Sequence, residues 1–253
     1  MCVLAFAWQA HPRWRLLAAG NRDEYHARPA QPLERWETPA HLIAGRDLQS
    51  GGTWLGVSEQ GRFAVVTNLR GFAPPDPNLA SRGALVTDYL AGTGANADPR
   101  TADLTRFNPV NLIIADQEGA CFMTNRPEPI GTTLASGLYG LSNGKLDEPW
   151  PKTMRLKSVL LDWITGDASR PEALFDGLRE EILPDIGLDP SAPSDVPQEP
   201  GHSPIFIRNP IYGTRCSTVV AIDMAGQGII VERRFSPQGA DIGETSLSFS
   251  WAG

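Results

Sequence analysis

The stretch MCVLAFAWQAHPRWRLLAAGNRDE, residues 1–24, sets a cysteine directly behind the first methionine and a knot of charge at the far end of two apolar runs. CVLAFAWQ and RWRLLAAGN flank AHP and read as an antiparallel hairpin. If Ala10 faces Arg13 across a two-residue loop, Cys2 lies opposite Asn21, and GNRDE (residues 20–24) comes to the side of the amino terminus. Pro12 suits so tight a turn poorly, and a longer loop would slide the register by about two residues without dissolving that neighbourhood. Removal of Met1, which a small second residue permits, would expose a thiol and an α-amine on one residue. The amine, with a reference pKa of about 7.7–8.0, can act as general base for its own side chain. Arg22 would favour the thiolate, and Asp23 or Glu24 would hold the α-ammonium. The bland alternative is a small residue opening a strand, with a solvated charged turn behind it.

The pattern continues outward from this hairpin. TWLGV and RFAVVTN flank SEQG, a second hairpin that lays Ser50, Gly51 and Gly52 alongside Thr67 and Asn68. NLIIAD and ACFMTN flank QEG, CSTVVAID and IIVERRF flank MAGQG, and the alternating SLSFSW reads as an edge strand. Helices are fewer. SRGALVTDYLAGT follows a cap at Ser81. PWPKTMRLKSVLLDWITG carries Leu156, Val159, Leu160, Trp163 and Ile164 at helical spacing. PEALFDGLREEIL sets Leu174, Phe175, Leu178 and Ile182 on one side. Strand runs separated by helix runs without strict alternation predict an α+β sandwich with helices covering antiparallel sheets, as one domain over residues 1–253. Residues 184–210 hold seven of the 22 prolines and read as a Pro-rich surface loop.

Composition narrows the function classes. The 253 residues are 41% apolar, 20% charged and net −7, with no Lys/Arg run, which argues against nucleic acid or anionic lipid as partner. No apolar stretch approaches the ~20 residues that span a bilayer, and the amino terminus lacks the basic region of a secretory signal, so cytoplasmic is the expected location. Three widely spaced cysteines argue against a disulfide framework, and four scattered histidines against a metal site. Oligomeric state is not readable.

Asparagines at strand ends, Asn68, Asn125 and Asn143, are candidates for holding the oxyanion of a tetrahedral intermediate, although each taken alone reads first as a turn residue. SGGTWLG (residues 50–56) offers close backbone approach, with Trp54 as an apolar wall, and Arg82 in SRG and Arg215 in YGTRCST suit a carboxylate clamp or a salt bridge.

Taken together, MCVLAF, GNRDE with ARP after it, GGTWLGVSEQGRFAVVTN, SRG, LSNGKLDEPWPK and YGTRCSTV resemble the NRDE family, whose eukaryotic members are called transport and Golgi organisation protein 2. That family is similar to N-terminal nucleophile (Ntn) hydrolases, which implies a four-layer αββα sandwich of two antiparallel sheets with the mature first residue in the cleft between them. The likeness to the cysteine branch containing choloylglycine hydrolase and penicillin V acylase implies catalytic roles for Cys2, Arg22, Asp23, Asn68 and Asn143, with Glu24, Trp54, Arg82 and Arg215 around the substrate. In that branch the Arg and Asp are spaced as Gly-Arg-Asn-x-Asp, whereas in GNRDE they are adjacent, so the resemblance does not choose between Asp23 and Glu24 for the amine. Its later catalytic Arg lies in an insertion missing here, for which Arg215 is the substitute. The implied activity is cleavage of a non-peptide linear amide, with a small-molecule acyl amide as substrate and no cofactor. The alternative is a non-catalytic carrier of a hydrophobic ligand, haem or an acyl thioester, with His26 or Cys2 as iron ligand.

Overall fold

The computed structural model describes residues 2–72, 75–182 and 204–251. Its elements run β1 (Cys2–Trp8), β2 (Trp14–Tyr25), β3 (Ala30–Arg35), β4 (Leu42–Asp47), β5 (Leu55–Ser58), β6 (Arg62–Asn68), α1 (Arg82–Ala91), β7 (Val110–Ala115), β8 (Ala120–Thr124), β9 (Ile130–Leu134), β10 (Gly137–Leu141), α2 (Pro151–Thr165), α3 (Leu174–Leu178), β11 (Tyr212–Asp223), β12 (Gln227–Phe235) and β13 (Asp241–Ser250). One sheet has the order β10-β1-β2-β11-β12-β13, the other β3-β4-β5-β6-β7-β8-β9, and the pairings are antiparallel. Most of the Pro-rich stretch, residues 183–203, lies outside the described residues.

Three apolar layers show how four layers stack. Even-numbered positions of β1, β2 and β11, such as Leu4, Phe6, Leu16, Ala18 and Val220, meet Leu55, Val57, Phe63, Val65 and Ile113 of the other sheet. Odd-numbered positions, Val3, Ala5, Leu17, Ala19 and Val219, meet Leu156 and Leu160 of α2 and Leu174, Phe175 and Leu178 of α3. The outer face of the second sheet, with Leu42, Ala44, Ala64, Leu112 and Ile114, packs on Leu85, Val86, Tyr89 and Leu90 of α1. The period of two along each strand thus feeds two separate cores from one sheet, which is the expected αββα sandwich.

Two details differ from the sequence expectation. The first hairpin pairs Cys2 with Arg22 and Val3 with Asn21, one residue off the two-residue-loop register. A type I′ turn needs positive φ at both central residues, which Pro12 cannot adopt; instead the loop lengthens, closed by Gln9 N–H to Arg15 O at 2.7 Å, with Gln9 taking φ 47°. The expected helix from Pro171 to Leu183 is a short 3₁₀ turn followed by the five residues of α3, and Ile182 is exposed instead of joining Leu174, Phe175 and Leu178. The chain leaves the helix because the Glu180 carbonyl, which a helix would reserve for residue 184, accepts from Phe206 N–H at 2.9 Å. Ser81 does stand at the N-cap of α1, but its side chain makes no capping bond.

Candidate active site

Register builds the site. Cys2 on β1 lies opposite Arg22 on β2, Arg22 opposite Cys216 on β11, and Cys216 opposite Arg234 on β12, so four neighbouring strands set these side chains in one row facing the other sheet. The row forms part of the wall of a cavity of about 690 Å³ between the sheets. Of the nine residues to which the resemblance gives catalytic or substrate-binding roles, eight line this cavity: Cys2, the charged trio Arg22, Asp23 and Glu24, and Trp54, Asn68, Arg82 and Arg215. Asn143 does not; it lines an adjoining groove of about 460 Å³ that shares Asn68 and Arg82 with the first. Cys2 and Cys216 are both free thiols, two inter-strand steps or ~9–10 Å apart, beyond the ~7 Å that a disulfide spans.

Asp23 follows Arg22 in the strand and so takes the opposite side of the sheet. There it is 4% exposed, and Thr214 Oγ1 donates to it at 2.7 Å. Burial pushes its carboxyl up from 3.8 to about 6, against the pull of Lys152, Thr214 and Arg22. Lys152, on the first turn of α2, is fully buried and 5.9 Å from the Trp150 ring centroid. The Cys2 thiol is likewise pushed up, chiefly by burial, with the Arg22 guanidinium and the Asp23 backbone N–H drawing it back. Ser142 Oγ holds the Cys2 carbonyl at 2.7 Å. Neighbouring Asn21 is a clamp: its amide donates to the Leu178 and Ile205 carbonyls at 2.8 Å, and Ser217 Oγ donates to its Oδ1 at 2.6 Å.

The arginines divide into two kinds. Arg22 and Arg28 form a quartet with Glu24 and Asp47: Arg22 lies 3.7 Å from Glu24 and 3.8 Å from Asp47, Arg28 2.7 Å from Asp47 and 3.8 Å from Glu24. Glu24 is therefore committed to this quartet, and Asp23 is the buried carboxyl one residue beyond Arg22, Cys2's partner. Among the described residues Arg215 and Arg82 bond only to backbone. Arg215 is the extra residue of a β-bulge, where Thr214 pairs with Asp23 and Cys216 with Arg22, and Nη1 donates to the carbonyls of Tyr25 and Arg28, each at 2.9 Å. Arg82 donates from Nη1 to Pro109 O at 3.1 Å. The glycines of SGG and SRG seat it: a Cβ on Gly52 would lie 2.6 Å from the Gly83 carbonyl carbon, so only a bare backbone lets the start of α1 reach this loop.

The asparagines have different duties. Asn68 is exposed at the end of β6 on the shared wall of both hollows. Buried Asn143 donates from Nδ2 to the Asn68 carbonyl at 2.8 Å, so it fixes Asn68. Asn125 closes a loop, with Nδ2 on the Leu104 and Phe107 carbonyls and Oδ1 on Val110 N–H.

Glu232 ties the two sheets at the cavity floor. It is 5% exposed, accepts from Leu33 N–H at 2.9 Å and lies 3.4 Å from Arg234 Nη1. Burial raises its pKa. Glu232→Leu is expected to cost about 1–3 kcal/mol by stranding the Leu33 N–H, while Glu232→Gln keeps an acceptor and most of the stability. Urea unfolding at pH 7 checks this, and a Leu variant as stable as wild type would show that the bond contributes nothing.

Sequence reasoning passed over Lys152, Thr214, Cys216, Asp47 and Glu232. Lys152 stood inside the quoted LSNGKLDEPWPK, but an ordinary surface lysine on an amphipathic helix has the same one-dimensional signature. Among the described residues no group of three or more His, Cys, Asp or Glu is placed to hold a metal ion, and no helix is long and apolar enough to cross a membrane. His26, the sequence candidate for an iron ligand, is within 3.0 Å of Asn209 O through Nε2 and is not on the cavity wall.

Comparison with known proteins gives consistent relatives. The profile of the family described as Transport and Golgi organisation 2 matches residues 1–237. The Transport and Golgi organization protein 2 homolog of Homo sapiens is 32% identical over 259 residues, 92% of each chain. Transport and Golgi organization protein 2 of Drosophila melanogaster is 25% identical over 261 residues, 92% of this chain and 91% of that one. Among solved structures, a mutant of the conjugated bile acid hydrolase from Clostridium perfringens superposes with a TM-score of 0.52 at 8% identity, covering 98% of this chain and 92% of that one. A second variant of that hydrolase gives 0.50 at 8% identity, covering 100% and 97%. At this identity the likeness shows the fold alone, the sandwich of two antiparallel sheets shared with that hydrolase.

Proposed function

The chain belongs to the Transport and Golgi organisation 2 family, and from that premise we propose that it is an N-terminal-cysteine amidohydrolase acting on a non-peptide linear amide. The observation that carries the reading is the register row: the Cys2 thiol stands on the cavity wall directly across from Arg22, with the buried carboxyl of Asp23 one residue further on. The hydrolase activity named for the similar bile acid hydrolase structures supports the same class on the same scaffold.

Once Met1 is removed, the α-amine of Cys2 takes the thiol proton and becomes an ammonium held by Asp23. The thiolate attacks the amide carbonyl carbon, and Asn68, whose carbonyl is anchored by Asn143, donates to the oxyanion. Arg22 favours the thiolate. As the C–N bond breaks, the ammonium returns its proton to the leaving amine. Water then attacks the Cys2 thioester with the amine as base, releasing the acid and restoring the thiol. In this scheme Asn143 is a positioning residue. The setting is the cytosol, where three free thiols stay reduced.

The scheme requires a processed terminus. Intact-mass spectrometry of the purified protein is expected to show loss of one methionine and, after incubation with a panel of amides, a mass increase localised to Cys2. A chain that retains Met1 yet turns over amides would sink the mechanism. The second reading, binding without turnover, is favoured by one observation, the upward push of burial on the Cys2 thiol, which keeps it protonated. It predicts saturable binding with no adduct on Cys2.

A further inference from the structure

Within the cavity the positive groups are not all neutralised. The quartet of Arg22, Arg28, Glu24 and Asp47 balances itself, and Arg234 has Glu232. Arg82 and Arg215 bond to backbone carbonyls only, and among the described residues neither forms an ion pair. Among the described residues each guanidinium spends only Nη1 on the protein, so Nε and Nη2 retain donors for a ligand, three N–H in a fork geometry that matches a carboxylate or phosphate. Burial lowers the pKa of both, a desolvation cost that an anion between them would offset. Arg46 on the same wall likewise bonds a backbone carbonyl, that of Gly51, so among the described residues three arginines lining one hollow of a chain carrying net −7 lack an ion pair.

Their positions are built. The bulge at Arg215 turns an inner-strand residue toward the cavity rim, and the Gly52–Gly83 contact brings Arg82 to the wall at the seam with the adjoining groove. Arg82 is close enough to Cys2 for a thiolate there to favour its charged form. The start of α1 adds to this, since its first turn has no acidic residue and Ser81 leaves its N–H groups uncapped by a side chain.

We propose that Arg82 and Arg215 form an anion subsite beside Cys2, so that the acyl compound handled there carries a carboxylate or phosphate. The inference rests on the amidohydrolase reading only for the word acyl; the subsite itself concerns binding. The test uses the full chain with Cys2→Ala, which binds without turnover, and three matched probes: succinyl 4-nitroanilide, its neutral isostere succinamoyl 4-nitroanilide, and 3-phosphonopropanoyl 4-nitroanilide. By calorimetry at low salt, the anionic probes are expected to bind at least about tenfold more tightly than the neutral one. Whichever anion binds more tightly names the ligand's group. Arg82→Met and Arg215→Met, each added to the Cys2→Ala chain, are expected to shrink the preference to about twofold or less, while Arg82→Lys retains part of it, which separates charge from misfolding. Equal or undetectable binding of all three probes overturns the subsite, as does a preference that survives both Met variants. A preference for the anionic probe in binding, with no adduct on wild-type Cys2, would leave the subsite standing and overturn acyl transfer alone.

Discussion

Cys2→Ala protein is expected to form no covalent acyl adduct and to lose any amidase turnover by at least about a thousandfold, because no other group on the cavity wall can replace a thiolate beside an α-amine. Cys216, the other thiol in the row, is not a substitute: burial lifts its pKa well above the ordinary value, and it stands one strand beyond Arg22, away from the amino terminus. The fold should be unaffected. Cys2 is a half-buried residue at the open end of β1, outside the three apolar layers, so the melting temperature is expected to stay within a few degrees of wild type. Mass spectrometry after incubation with the amide panel decides the matter, since an adduct elsewhere in the Cys2→Ala chain would move the nucleophile. Cys2→Ser offers a graded companion: it keeps the α-amine and the shape, and should leave only residual acylation because a serine hydroxyl in place of the thiol is the weaker nucleophile at neutral pH.

The second large effect concerns Asp23 and Lys152. Moving a carboxyl from 3.8 to about 6 costs its ionised form about 3 kcal/mol relative to the unfolded chain. Because the folded chain holds this proton more tightly than the unfolded one, the Asp23 contribution to stability declines as pH rises from about 4 through about 6. Lys152 limits that decline by favouring the carboxylate. Lys152→Met should therefore lift the Asp23 inflection by at least about one pH unit, seen in the ¹³C carboxyl shift of aspartate-labelled protein with Asp23→Asn to assign the resonance. It should also produce a stability deficit in urea that is small at pH 5 and grows toward pH 8, when the carboxyl must ionise with one of its neighbouring cations gone. A deficit equal at both pH values would mean that Lys152 contributes packing alone. Asp23→Asn behaves differently, because it leaves the buried Lys152 without this carboxylate whatever the pH; about 3–5 kcal/mol of destabilisation is expected.

These two residues also mark how far the primary structure can be read. Cys2 was visible as a candidate from its place behind Met1, and Asp23 from its place after Arg22, since both facts are local. Lys152 was not, because nothing within α2 distinguishes a lysine aimed at solvent from one sealed beneath a sheet.

The same division runs through the whole chain. The apolar runs CVLAFAW, RFAVVTN and STVVAI and the helical spacing of Leu156, Val159, Leu160 and Trp163 are short-range patterns, and they were enough to specify hairpins and an α+β sandwich with covering helices, while the four-layer αββα order was implied by the family resemblance. Tertiary structure alone decided the one-residue register that sets Cys2 against Arg22, the bulge that turns Arg215 toward the cavity, the seating of Arg82 and the use of Asn143 to hold Asn68. Each depends on a partner outside the local pattern, from Arg22 across the hairpin from Cys2 to Asn68, 75 residues before Asn143, and Thr214, 191 residues after Asp23. A side chain's charge state and direction are set by what packs against it, and periodicity carries no record of that partner.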